Sequence, residues 1–165
     1  MFEIRDETSA DIEAIRAITK AAFDGKPYSD QTEAKVIDGL RAADAIGLSL
    51  VAVSVGEVIG NVVLSEVTID GVAGWVGLGP VSVKPELQRG GIGSALIKAG
   101  LDRMRATGAI GCVLVGDSGY YSRFGFKAVP GLSYDGVPDE YVMALPFGDA
   151  LPKGVIVFHP AFGAA

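Results

Sequence analysis

Val81-Ser82-Val83-Lys84-Pro85-Glu86-Leu87-Gln88-Arg89-Gly90-Gly91-Ile92-Gly93-Ser94 runs from an apolar strand through a proline-containing turn into a glycine loop, and then into a helix. That order points to an anion cradle. The N-terminus of a helix leaves backbone N–H groups without acceptors and carries partial positive charge. Glycines remove the side chains that would hold a phosphate away from those amides. Arg89 adds a cation beside the loop. The spacing excludes two other phosphate binders. A Walker loop needs Gly-x-x-x-x-Gly-Lys-Ser/Thr. A GxGxxG dinucleotide fingerprint belongs in the first βαβ of an alternating fold, whereas this loop follows consecutive strands. The blander reading is an ordinary glycine-rich strand–helix connection.

Working outward, the periodicity predicts the remaining elements. Phe2–Arg5 reads as a short strand. Thr8 is set to cap a helix, with Asp11 three residues on, and Ile12, Ile15, Ile18 and Ala22 follow at helical spacing to about Phe23. Asp24–Asp30 is a loop, and a second helix runs from Gln31 to Ala43. The period then changes. Leu48–Ser54, Val58–Ile69 and Ala73–Val83 read as strands, joined by turns at Val55-Gly56-Glu57 and Asp70-Gly71. Gly91–Thr107 is helical, Ile110–Val115 an apolar strand and Gly119–Phe124 a short helix. Phe126–Val129, Glu140–Leu145 and Val155–Phe158 are the remaining strand candidates. The order βααβββαβαββ, closed by Val155–Phe158 as a last strand, predicts one mixed α/β sheet layered with helices, in a single domain over residues 1–165.

Composition agrees and sets limits. Glycine is 23 of 165 residues, about twice average usage. Fifteen of these fall between Gly71 and Gly136, which predicts special backbone demands there. With 49% hydrophobic residues the chain is not disordered. The longest charge-free run, Gly71–Val83, is 13 residues, too short for a membrane-spanning helix. The polar, acidic N-terminus is unlike a secretory signal, and Cys112 is the only cysteine, so a cytoplasmic location is expected. The net charge of −6 argues against broad nucleic-acid binding and permits a cationic substrate.

Gln88-Arg89-Gly90-Gly91-Ile92-Gly93 resembles the Gln/Arg-x-x-Gly-x-Gly/Ala pyrophosphate loop of the GNAT N-acetyltransferases. Leu78–Pro85 resembles the strand before that loop, and Tyr121-Ser122-Arg123-Phe124-Gly125-Phe126 the later Tyr-x-x-x-Gly-Phe signature. The resemblance covers essentially the whole chain, and Gly-Asp-Ser-Gly-Tyr-Tyr with the final Val-Phe-His-Pro-Ala-Phe points to the YhbS-like bacterial branch. It implies the acyl-CoA N-acyltransferase fold, with splayed central strands, and acetyl-CoA as co-substrate. The amides of Arg89, Gly90, Gly91, Ile92, Gly93 and Ser94 would hold the pyrophosphate beside Gln88, and Val81, Ser82 and Val83 would flank the pantetheine arm. Tyr120 and Tyr121 join the same implied cofactor set. Residue chemistry supports an opening at this point. Pro80 cannot donate a ladder hydrogen bond, and Gly79 permits a bulge. The N–H of Val81 could polarise the thioester carbonyl.

Direct acetyl transfer to an amine calls for an acid near the departing sulfur. Tyr121 matches the family's tyrosine, with Tyr120 second. Glu66, on the central hairpin, is a candidate base acting through water. Asp117, at the end of an apolar strand, is another; it replaces an asparagine common in the family, and its plain alternative is a helix cap. Asp24, Glu33 and Asp38 flank the early helices and could attract an ammonium group or simply be solvated. His159 has no metal-ligand partner spacing and Cys112 reads as core, so no metal is expected. Three readings follow: an N-acetyltransferase working through a ternary complex with a small-molecule or peptide amine, a non-catalytic acyl-CoA sensor, and an enzyme of another phosphate ligand. No nucleic-acid or membrane partner is expected, and edge strands after Gly125 could pair two copies into a homodimer.

Overall fold

The computed structural model describes residues 1–163. These form two compact units, and the chain passes between them inside two strands, inside one helix and once more before Pro160. The first unit holds Met1–Leu64, Gly79–Gly100 and residues 160–163; the second holds Ser65–Leu78 and Leu101–His159.

In the first unit, β1 (Glu3–Asp6) pairs antiparallel with β2 (Ile46–Ser54), from Glu3↔Val53 to Asp6↔Leu50. Next in order come the first part of β3 (Glu57–Ile69) and the last part of β4 (Val72–Val83). The expected cap is present. Asp11 accepts hydrogen bonds from the Thr8 amide at 2.7 Å and from both terminal nitrogens of the Arg5 guanidinium, and a 3-10 turn over Ser9–Asp11 leads into α1 (Ile12–Phe23). The predicted stripe buries Ile15, Ile18 and Ala22. α2 (Glu33–Ala42) starts two residues later than the pattern suggests; Asp30 accepts from the Thr32 amide and hydroxyl, an Asx turn that delays the helix. Ile15, Ile18, Ile37 and Leu40 of the two helices pack with Val51 and Val63 of the sheet. α3 (Ile92–Ala106) begins in this unit, seated over Gly60, where a Cβ would stand 3.0 Å from Leu96 Cδ1 and 3.1 Å from the Ser82 carbonyl.

The second unit carries the rest of β3 and β4, then β5 (Gly111–Val115), a short α4 (Ser118–Tyr121) continuing as a 3-10 turn through Phe124, β6 (Lys127–Ala128), β7 (Leu132–Ser133), β8 (Val142–Pro146) and β9 (Gly154–Val157). Its order is β3-β4-β5-β8-β6, with β9 beside β3 and β7 beside β9. β4 pairs parallel with β5 over Trp75↔Gly111 to Gly77↔Val113, while β5 pairs antiparallel with β8 along its whole length. Trp75, Val113, Val142 and Ile156 share its core. β7 is an addition to the expected order: two residues that pair parallel with β9 and carry no period of their own.

The hairpin turns follow the sequence. Val55-Gly56 and Asp70-Gly71 have both central residues left-handed, at φ 49° and 73°, and 49° and 78°. That is the type I′ geometry whose twist matches the flanking strands. Among the described residues no helix is long and apolar enough to cross a membrane.

Candidate functional site

The anion loop lies in the first unit. β4 ends at Val83, Lys84 N–H donates to Ile59 O at 2.9 Å, and a 3-10 turn over Pro85–Leu87 turns the chain towards α3. Arg89 adopts φ +69° and Gly91 φ +87°, so two left-handed residues lie within the last steps before the helix. Alternation of left- and right-handed backbone turns successive N–H groups towards one concavity, a shape that takes anions. Ala95 N–H donates to Gly91 O at 3.0 Å, the first helical bond. The amides of Gly91, Ile92, Gly93 and Ser94 therefore have no acceptor within α3. A Cβ at Gly91 would meet nothing within 4 Å, and Gln88, Arg89, Gly90 and Gly91 are all exposed, so the concavity is open to a ligand. These residues fit a pyrophosphate. Gln88 has a local partner as well: its Nε2 donates to Val83 O at 3.1 Å and ties the loop to the strand end.

Val81 and Val83 are half-buried on β4, with buried Ser82 between them. Ser82 Oγ lies 3.4 Å from Thr19 Oγ1, which itself donates to Ile15 O at 2.7 Å. Thr19 also lines a groove of about 520 Å³ along the end of α1 and the start of α2, with Lys20, Phe23, Asp24, Gln31 and Glu33. Its volume falls within the range of small-molecule sites. The sequence did not reveal this groove. What forms it is a loop held by Gln31, left-handed at φ +65°, whose Nε2 donates to Phe23 O at 2.6 Å. Of the acids flanking the early helices, Glu33 accepts from the Ser29 hydroxyl, and Asp38, outside the groove, forms a two-point ion pair with Arg16.

The remaining candidates lie in the second unit. Glu66 is exposed on β3 among buried neighbours. Asp117 caps α4, its Oδ1 accepting from the Gly119 amide at 3.1 Å, so the plain alternative describes what its side chain does here. Tyr121 N–H donates to Asp117 O at 3.0 Å. The Tyr121 ring packs edge-on against Tyr120 at 5.0 Å and Phe126 at 6.2 Å, and tilted against Phe124 at 6.3 Å. Arg123 covers the Tyr120 ring at 4.4 Å and donates through Nε to Tyr120 O, so Tyr120 is engaged on its own side. His159 is half-buried. Cys112 is fully buried, and burial pushes its thiol up, away from nucleophilic chemistry. Among the described residues no group of His, Cys, Asp and Glu is arranged to hold a metal ion.

Comparison with known proteins agrees with the architecture. Residues 3–129 match the family described as Acetyltransferase (GNAT) domain. The chain is 35% identical over 126 residues to the uncharacterized N-acetyltransferase YhbS of Escherichia coli K12, covering 75% of this chain and 72% of that protein. A GNAT family acetyltransferase from Brucella melitensis, solved in complex with acetyl-CoA, superposes with a TM-score of 0.88 at 47% identity, over 98% of each chain. The E. coli YhbS structure in complex with CoA superposes with a TM-score of 0.90 at 29% identity, over 98% of this chain and 92% of that one.

Proposed function

The chain belongs to the GNAT acetyltransferase family, and from that premise we propose that it moves the acetyl group of acetyl-CoA to a primary amine by direct attack within a ternary complex. The observation that carries the cofactor half is the loop: left-handed Arg89 and Gly91 present amides at the start of α3 with open space in front. The acetyl-CoA and CoA held by the two solved relatives support it.

The co-substrate supplies an activated acyl carbon. The loop amides and Arg89 hold its pyrophosphate, and the main chain of Val81 and Val83 receives the pantetheine arm, with Val81 N–H polarising the thioester carbonyl. Tyr121 gives its hydroxyl proton to the departing sulfur. Glu66 draws the proton from the attacking amine through water, and Asp117 is second to it, because one of its carboxylate oxygens is taken by the cap. The acceptor, a small molecule or peptide amine, uses the groove beside Thr19, where Asp24 and Glu33 offer negative charge. Its site of action is the cytoplasm, and the whole chain acts as one domain.

Calorimetry with CoA, ATP and NAD, followed by turnover on a panel of amines, tests the reading. CoA alone should bind, and Tyr121→Phe should lower kcat by about 100-fold or more while CoA affinity stays. A chain that binds CoA but acetylates no amine is a sensor instead. Failure to bind CoA removes both readings.

A further inference from the structure

We propose that Gly116 is a positioning residue for Tyr121: its missing side chain is the space into which the tyrosine ring fits, and any Cβ there moves the phenol. The inference rests on Tyr121 being the acid. A Cβ built at Gly116 would stand 2.7 Å from Tyr121 Cδ2, closer still to Cε2, and 3.2 Å from Leu114 Cδ1. Real Cβ atoms do not approach ring carbons so closely, so the ring or the backbone must shift. Gly116 has none of the left-handed backbone that elsewhere in this chain requires glycine. Alanine can adopt its conformation, and the space alone excludes a side chain.

The ring has few directions of retreat. Tyr120, Phe124 and Phe126 contact it, and Phe126 is fully buried. The backbone is equally held. Gly116 N–H donates to Tyr141 O at 2.9 Å, and Tyr120 and Tyr121 N–H both donate to Asp117 O. The tight turn from β5 into α4 thus brings the ring back over the first residue of its own turn. A methyl at Gly116 therefore pushes the phenol along the only soft coordinates, its side-chain torsions, and displaces the hydroxyl from the atom it must protonate. A misplacement of about 1 Å can cost about 100-fold in rate.

The test is Gly116→Ala in three backgrounds. In the wild-type background, kcat should fall about 10- to 100-fold, with KM for acetyl-CoA within about 2-fold of the parent. In the Tyr121→Phe background, which keeps the ring and lacks the hydroxyl, Gly116→Ala should cause no further fall in kcat. In the Tyr121→Ala background, where the clash is gone, Gly116→Ala should leave the melting temperature at that of its parent. An unchanged kcat in the first background, an equal fall in the first two, or an equal loss of melting temperature with and without the ring each overturns the proposal. If Gly116→Ala does not fold in the wild-type background, folding must return with Tyr121→Ala, and continued failure overturns it as well. Tyr121→Phe at wild-type kcat is a separate result. It removes the acid role, and with it the position Gly116 is said to keep.

Discussion

Asp11 shows how one carboxylate can hold two pieces of chain. It accepts from the Thr8 amide and hydroxyl at 2.7 and 3.1 Å, and from Arg5 at 2.7 and 3.1 Å, while only 6% exposed. The turn before α1 is thereby fastened to β1. The Arg5 hydrogen bonds, more than any other influence, bring its acid dissociation down to about 2. The folded value lies below the unfolded one, so its stabilisation is fully present above about pH 4. It is lost as pH falls from there towards 2. Asp11→Asn should therefore lower stability at pH 7 by about 1–2 kcal/mol. Urea denaturation at pH 7, 4 and 2 checks this: the gap between variant and parent should close on the acid side, and a constant gap would count against the charge as its source. Asp117 is the same residue type in a lighter role, capping a single short helix from an exposed position. Sequence could present cap and base as alternatives for Asp117, because both need only an acid at a strand end.

At the scale of elements, the left-handed turn between β4 and α3 was legible because glycine and proline report backbone demands directly. The hairpin turns were legible for the same reason, and the helices and long strands because a buried face imposes its period on the sequence. What was illegible had no period to read. β7 is two residues long and exists through its pairing with β9. The groove beside α1 depends on where Gln31 turns left-handed, and nothing local in Ser29-Asp30-Gln31 announces that conformation. Gly116 looks in the sequence like any glycine after a strand, because the ring that needs its space comes from further along the turn. The loop offers its own prediction. Alanine at Gly91 must hold φ +87°, a conformation that costs an L-residue about 1–2 kcal/mol. The loop can relieve this only by rotating the amides to which we assign the pyrophosphate. Gly91→Ala should weaken CoA binding by about 10-fold, measured by calorimetry. Unchanged affinity together with a lowered melting temperature would show that these amides hold structure alone.

For the whole molecule, the informative residue is Cys112, the only thiol in the chain. It lies in β5, between β4 and β8, with no exposed surface, and burial raises its thiol further from the reactive thiolate. A thiol reagent can reach it only when the second unit opens. The first unit contains the loop to which we assign CoA binding, and the chain passes between the units inside β3, β4 and α3, so each unit contains part of all three elements. If opening of one unit unravels strands on which the other depends, ligand binding in the first unit must protect a thiol in the second. A ligand present at about 100 times its Kd stabilises the bound state by about 2.7 kcal/mol, which is about a 100-fold fall in the open population. Labelling of Cys112 by a disulfide reagent should therefore slow about 100-fold under that excess of CoA, provided reclosing outpaces the reagent. The comparison is made on the wild-type chain, at reagent concentrations where the rate is proportional to reagent. Full protection would mean that the two units open as one cooperative system. Labelling that ignores CoA would mean that β5 is exposed by an opening confined to the second unit, and would place the limit of cooperativity at the points where the chain crosses within β3, β4 and α3.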